Sequence, residues 1–419
     1  MKNTITKTPI KKPRKGKFPK IQLVQEHLNG LNDYRYNVVT GNIEFIRKEG
    51  SAPEILDDYE MNSLARSLAL SDLAYPVGSV RNLLKSDYVQ KYDPFRAWLE
   101  SLPGWDGTTD YILQLAETID TDNPGLWILS LRKWLTALVA SLLDERTINH
   151  TMLVLTGKQG IGKTTWILNL VPDELKDYVF SGTINPDNKD TLIYLSECML
   201  INLDELENLN KHQLGSIKEL ITKNQVRIRR PYGTIFENLP RRASFAGSVN
   251  SREFLTDTSG SRRFLCFEVS KISCHNELSM DMVYAQALAM YRSGFQFWFN
   301  SEEIEMINQN NEKFREVSLE EEQLFKYYRP CKRFEADEIL KTSEILDIIF
   351  FNYKNLINNG SLQRLGKVLT TSGFLKIKRQ GVQAYCLKRQ GQNAEPCPSE
   401  CGGIADLQGT GGRVGNLFS

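Results

Sequence analysis

The stretch TMLVLTGKQGIGKTTW, residues 151–166, decides the fold. Met152 to Thr156 is an apolar run of strand length, Gly157, Gly160 and Gly162 punctuate a turn, and Lys163, Thr164 and Thr165 open a helix. This is G-x-x-x-x-G-K-[ST] with a strand before it and a helix after it, the context that gives the pattern its meaning. Glycines let the backbone N–H groups from Gly160 through Ile161 and Gly162 to Thr164 curl round a β-phosphate without side-chain clash, and the helix N-terminus adds partial positive charge. Lys163 is placed to reach the β- and γ-phosphates, and the Thr164 hydroxyl to ligate Mg²⁺. ATP with Mg²⁺ is therefore the expected ligand of Gly157, Gly160, Ile161, Gly162, Lys163, Thr164 and Thr165.

Forty-one residues beyond Lys163, CMLINLDELE supplies a second apolar strand ending in Asp204-Glu205. An aspartate there can hold Mg²⁺, and an adjacent glutamate can orient or deprotonate the attacking water, so the pair signals hydrolysis. A third strand, ASFAGSV, ends in Asn250, whose side chain, between the two earlier strands, would sense the γ-phosphate. Just beyond, Arg262 and Arg263 open an apolar strand. Arginine suits a finger that stabilises charge on the transferring phosphoryl group. Neighbours on a strand point to opposite sides, so one of the two is expected to pack or pair structurally.

Between the Asp-Glu pair and Asn250 lies KNQVRIRRPYGTIFENLPRRASF, in which Lys223, Arg227, Arg229, Arg230, Arg241 and Arg242 face a single acid, Glu237. Arg227 and Arg229 share one side of a strand-like VRIRR run, and PYG makes a turn, so the segment reads as a basic hairpin. Its charge density points to DNA phosphates, with Lys223, Arg227, Arg229 and Arg230 as the contacts; the competing reading is a solvated hairpin without a partner.

Outward from this centre the chain of 419 residues, 41% hydrophobic and 25% charged, has material for two or three domains. A net charge of +1 excludes a uniformly basic coat, so nucleic acid would be held by local clusters. No stretch approaches the roughly 18 consecutive apolar residues of a membrane helix, and the N-terminus lacks the apolar core of a signal peptide, which places the protein in the cytoplasm with no membrane partner. The seven cysteines are scattered; only Cys397 and Cys401 are close, with nothing nearby to complete a zinc site.

The expected domains are a basic disordered arm over 1–20, an α+β but mainly helical N-terminal domain over 21–115, the ATPase domain over 116–300, a helical linker and winged-helix-like domain over 301–390, and a disordered tail over 391–419. YNVVTGNIEFI predicts a hairpin around Thr40-Gly41-Asn42, and MNSLARSLAL and PFRAWLESL predict helices. Phe95, Trp98 and Trp105 belong to an aromatic run read as core packing. Residues 126–143 are apolar nearly all round and predict a buried helix. Residues 300–325 read as one charged helix; ADEILKTSEILDIIFFNYKNL and SLQRLGKVLTTS read as two more, followed by a two-stranded wing joined around Gly381.

Together, GKQGIGKTT, LINLDEL, VRIRRPYG with PRRASFAGSVN, GSRRF and the upstream LPGWDGTTDYI resemble the virulence-associated protein E family, P-loop proteins of phages and mobile elements similar to superfamily 3 helicases. The resemblance implies a ring-forming, AAA+-like α/β P-loop NTPase core, with nucleotide contacts at Gly162, Lys163, Thr164, Asp204 and Asn250 and DNA contacts on the VRIRR hairpin. Some relatives carry a primase domain, but the first 115 residues show no primase-like carboxylate cluster. The expectation is an ATP-dependent helicase or translocase acting on single-stranded or forked DNA as a homo-oligomer, a hexameric ring. The rival is a nucleotide-gated DNA-binding or defence-associated switch with slow turnover. A small-molecule kinase is the third reading, and six cations on a flanking segment argue against it.

Overall fold

The computed structural model describes residues 19–50, 52–185, 188–209, 211–230, 235–255, 261–273, 278–379 and 381–390. The expected tail with Cys397 and Cys401, and all but the end of the basic arm, lie outside these residues. The chain divides into two compact units, Met1–Arg315 and Glu316–Ser419.

In the first unit, helix α1 (Lys20–Leu31) leads into strands β1 (Asn32–Asn37), β2 (Ile43–Arg47) and β3 (Glu54–Ile55), helices α2 (Asp58–Leu70) and α3 (Val77–Leu84), and strand β4 (Gln90–Tyr92). The strands form one sheet in the order β3-β2-β1-β4. The β1–β2 hairpin falls where alternation placed it, with Tyr36 opposite Ile43 and Gly41 in the left-handed region. The aromatic run is packing: Phe95 and Trp98, on α4 (Pro94–Ser101), are buried and meet Tyr178 and Tyr284 edge-on, each at 5.0 Å.

After α5 (Tyr111–Ala116) and β5 (Ile119–Thr121) comes α6 (Pro124–Leu143), capped by Asn123 and started by Pro124. This helix is long and apolar enough to cross a membrane by length and composition alone, with a mean hydropathy of 1.5 over 18 residues, but 78% of that window is buried in the protein, as the sequence reading of 126–143 expected and its all-round apolar surface requires. Its one buried cation, Lys133, donates to Glu303 Oε2 (2.8 Å) and the Trp298 carbonyl oxygen (2.9 Å).

The main sheet is built from β6 (Met152–Thr156), β7 (Val179–Gly182), β8 (Leu200–Leu203), β11 (Ser244–Val249) and β12 (Phe264–Ile272), with helices α7 (Lys163–Leu168), α8 (Lys189–Glu197) and α9 (Lys211–Thr222) among them. Its order is β5-β12-β6-β11-β8-β7, all parallel except β5. Both faces are covered: Leu153 and Leu155 of β6 join one apolar cluster, Met152 and Val154 the other. That is why MLVLT reads as a continuous apolar run and not as an alternation. Each such buried side chain contributes about 1.5–3 kcal/mol. Strands β9 (Gln225–Ile228) and β10 (Glu237–Pro240) form a separate antiparallel hairpin. Helices α10 (Met280–Arg292) and α11 (Ser301–Asn311) follow.

The expected single helix over 300–325 is two. Asn300 starts α11 with a reciprocal cap to Glu303, and α12 (Leu319–Tyr327) starts afresh because Ser318 accepts from the Glu321 N–H. The second unit holds α12, β13 (Tyr328–Pro330), β14 (Glu338–Leu340), α13 (Thr342–Ile349), α14 (Ser361–Thr371), β15 (Lys376–Arg379) and β16 (Val382–Arg389). Residues 338–340, read as helix, are a strand because Ile339 pairs with Cys386 of the central strand β16; tertiary pairing overrides local helical pattern there. The hairpin β15–β16 turns at Gly381 as expected.

Candidate functional site

Parallel pairing brings three strand ends to one edge of the main sheet: Thr156 of β6 lies beside Val249 of β11, and Gly247 of β11 beside Leu203 of β8. Gly157, Asp204 and Asn250 follow those ends and therefore gather at the C-terminal edge, where open α/β sheets bind ligands. Asn250 follows the end of β11, the strand that lies between the other two, as its sequence reading required. A Cβ on Gly157 would sit 2.5 Å from the Val269 carbonyl oxygen, so only glycine fits. Gly162, which precedes Lys163 at the start of α7, has φ 95°, a conformation that costs other residues dearly.

The Lys163 side chain is buried, and its Nζ donates to the carbonyl oxygens of Gly157 (2.7 Å) and Lys158 (2.9 Å) and to Asn250 Oδ1 (3.2 Å). Burial pulls its ammonium below the usual lysine value, and the Glu207 carboxylate opposes that pull. Asp204 is fixed by four donors: Thr164 Oγ1 (3.0 Å), Asn202 Nδ2 (3.0 Å) and Ser248 Oγ (3.1 Å) on Oδ1, and Ser181 Oγ (3.2 Å) on Oδ2. The Thr164 hydroxyl and the Asp204 carboxylate thus form an oxygen pair of the kind Mg²⁺ takes. Ile161 is half-buried against the core, and Thr165 is exposed on the first turn of α7.

Glu205 is exposed and left-handed at φ 56°, and its Oε2 accepts from Asn208 Nδ2 (2.9 Å). A residue with a Cβ in that region costs about 1–3 kcal/mol, and such strain concentrates at functional positions. The sequence reading missed Glu207, two residues on. Its Oε1 accepts from both the backbone N (3.1 Å) and Nδ2 (3.0 Å) of Asn250, and its Oε2 is buried with no partner. Lys163, Asn250 and Glu207 therefore form one polar chain, in which a donor demand at one end and an acceptor demand at the other fix the Asn250 amide. The only sequence signal was the third acid in LDELE. Ser181, Asn202 and Ser248 were missed as well, because a hydroxyl or amide inside an apolar strand carries no motif.

Arg262 and Arg263 lie at the opposite edge of the sheet. They occupy a short 3-10 turn ahead of β12, whose first residue, Phe264, pairs with Met152 at the start of β6. A five-residue strand, roughly 16 Å long, separates them from the Gly157 turn. Because they precede the strand, strand alternation does not govern them, and both line a cavity of about 260 Å³ with His150, Trp298 and Phe299. Arg262 is exposed, whereas Arg263 is half-buried with its Nε unpartnered.

The basic segment separates into two populations. On the β9–β10 hairpin Val226 and Ile228 are buried, and Arg227 and Arg229 point the other way and are exposed. Arg227 and the exposed Phe236 sit together, guanidinium over ring at 5.6 Å. Lys223 lies 3.7 Å from Glu219. Arg230 is engaged within the protein, donating to Glu197 Oε1 (2.8 Å) and the Val39 carbonyl oxygen (2.8 Å). Burial pushes the Glu197 carboxyl up to about 7 against the pull of Arg230. Arg241 and Arg242 are core residues: Arg241 is 1% exposed and donates to the Asn149 carbonyl oxygen, and Arg242 lies 3.9 Å from Asp93. Counting them with the hairpin overstated its charge, because linear density does not reveal which arginines turn inward.

The fold and this edge define a mixed α/β protein with a glycine turn, a buried lysine and a hydroxyl–carboxylate pair at its strand ends. Residues 99–316, slightly over half of the chain, match the virulence-associated protein E-like domain, and the chain belongs to that family. Among solved structures it is similar to the apo structure of the NrS-1 C-terminal region (305–718), with TM-score 0.45 and 14% identity over 88% of this chain and 99% of that one. An A-form apo structure of the same NrS-1 region aligns over the same shares, with TM-score 0.42 and 13% identity. No curated protein matches.

Proposed function

We propose that this chain is an ATP-driven DNA helicase or translocase of a phage or mobile element, an oligomeric cytoplasmic ATPase with a P-loop, AAA+-like core. The observation that carries the reading is the buried Lys163 on a glycine turn beside the Thr164–Asp204 pair, at the ends of adjacent parallel strands. The donor set fits a magnesium nucleoside triphosphate: Lys163 and the turn's N–H groups hold the β- and γ-phosphates, and Thr164 and Asp204 hold Mg²⁺. The ion supplies charge that offsets the negative charge developing on the phosphoryl oxygens. Glu205 takes the proton of the attacking water, Asn250 aligns that water, and Arg262 or Arg263 reaches the site of a neighbouring subunit in a ring. The order strand, helix, helix, hairpin in the second unit supports a winged-helix reading.

ATP hydrolysis measured without DNA and with single-stranded, forked and duplex DNA tests the proposal. Stimulation by single-stranded or forked DNA, with strand displacement, is the expected result; slow turnover indifferent to DNA would favour the switch instead. Arg227→Ala with Arg229→Ala should lower DNA affinity and leave basal hydrolysis intact. Each lost phosphate contact should reduce the log–log salt slope by about 0.9 on duplex or 0.7 on single strands. An unchanged slope would remove the hairpin from the DNA path.

Glu207 supplies a further check. Glutamine at 207 keeps an acceptor for the Asn250 amide; alanine does not. Glu207→Ala should therefore reduce the preference for a triphosphate over a diphosphate about tenfold, the scale of one charge-assisted hydrogen bond, while Glu207→Gln keeps most of it. Equilibrium titration with fluorescent nucleotide analogues reads both, and equal behaviour of the two variants would deny Glu207 that positioning role.

A further inference from the structure

The cavity of about 260 Å³ at the N-terminal edge of the main sheet, away from the Gly157 turn, has two unlike walls. One is cationic. His150 leads into β6 and Arg262 and Arg263 lead into β12, while behind them Arg241 donates Nη1 and Nη2, at 3.1 Å each, to the carbonyl oxygen of the lining residue Asn149. Among the described residues none of these three guanidinium groups has a carboxylate partner, and the Nε atoms of Arg241 and Arg263 are buried with no acceptor. Burial pulls Arg241 down to about 9, and burial with the fields of Arg241 and Arg263 pulls His150 below the usual histidine value. Buried charge of one sign is costly until an opposite charge reaches it. The other wall is aromatic, made by Phe297, Trp298 and Phe299. Trp298 meets Phe297 edge-on at 5.4 Å and is 58% exposed, so its indole is open to a ligand.

We propose that this cavity is a second ligand site, separate from the glycine turn, that takes a free nucleoside monophosphate: the phosphate on Arg263 and His150, the base against Trp298 and Phe299. A guanidinium fork matches phosphate oxygens, and a neutral imidazole adds one N–H donor. A phosphate placed there supplies the negative charge that the cationic wall lacks. Aromatic side chains accept any base, because every base has a π-face. The volume lies just under the roughly 300–1,000 Å³ of drug-sized ligand sites, which suits one nucleotide unit and not a strand. No carboxylate is present among the described lining residues, so the cavity offers no anionic oxygen to the Mg²⁺ that accompanies a di- or triphosphate. Arg262, exposed at the rim, is not required for this binding.

The test is calorimetric titration of the full chain carrying Lys163→Ala, without Mg²⁺, so that the glycine turn does not contribute and no turnover is read; its outcome is independent of the ATPase reading. The probes are AMP, adenosine and inorganic phosphate. AMP should bind one to one, and adenosine and phosphate, which each fill one wall, at least tenfold more weakly. Adding Trp298→Ala should weaken AMP about tenfold, the scale of one lost base stack, while Trp298→Phe keeps most of the affinity. The backbone carbonyl that accepts from Lys133 is present in both variants, and their difference separates a lost stack from lost structure. Arg263→Gln should weaken AMP about tenfold or more and leave adenosine unchanged, as the loss of a charge-assisted hydrogen bond to phosphate requires. Absence of AMP binding, phosphate binding as tightly as AMP, or an AMP affinity unmoved by Arg263→Gln or by Trp298→Ala would each overturn the proposal.

Discussion

Lys163→Ala is expected to abolish nucleotide binding and turnover together, whereas Glu205→Gln should keep binding and slow hydrolysis by roughly 10²-fold or more, the scale of a lost general base. The difference follows from where the side chains stand. Lys163 is buried at the start of α7, its Nζ against two turn carbonyls and Asn250, so its removal leaves the proposed phosphate cradle without its cation. Glu205 is exposed at the rim, in a left-handed conformation, with one carboxylate oxygen on Asn208. Its substitution by an isostere disturbs no cradle contact. Nucleotide titration and single-turnover hydrolysis measure the two quantities separately. If Glu205→Gln hydrolyses ATP normally and Glu207→Gln does not, the base is Glu207, whose Oε2 is already buried without a partner beside Asn250.

What could be read in the chain follows from how local each signal is. The strand, glycine turn and helix over 152–168 depend on residues within a few positions of one another, and they stand where the pattern placed them. The β1–β2 and β15–β16 hairpins, marked by alternation around Gly41 and Gly381, were equally accessible. Non-local effects were not. Glu338–Leu340 became a strand only because β16 offered a pairing edge, and Arg241 and Arg242 went inside because Asn149 and Asp93, roughly ninety to a hundred and fifty residues away, receive them. Glu207 belongs with these: a loop turns it back onto Asn250, 43 positions later, and nothing in LDELENL states the direction of that turn. Helix α6 was legible as a buried helix because its apolar surface runs nearly all round, whereas the partner of its Lys133, an acid 170 positions later, was not.

The position of Arg262 and Arg263 decides whether the proposed active site lies within one subunit or between two. They stand at the N-terminal end of β12 while Lys163, Asp204 and Asn250 gather at the opposite edge of the same parallel sheet, so neither guanidinium can reach its own chain's site. A finger acting in trans is worth on the order of 10³-fold or more in phosphoryl-transfer enzymes, so its loss should nearly silence turnover while nucleotide binding persists. Arg262, the exposed member, is the better placed to leave the surface; Arg263, half-buried at the cavity with His150, is placed to shape the turn. Arg262→Ala should therefore cost more than Arg263→Ala in rate, and less in thermal stability. Mixing inactive Glu205→Gln subunits with inactive Arg262→Ala subunits should restore part of the hydrolysis, because some interfaces then join an intact base to an intact finger. Only a shared site does that. If Arg262→Ala retains full activity, the finger is Arg263 or another residue; if co-assembled mixtures recover nothing, no site is shared between subunits through this arginine and the ring loses its mechanistic basis.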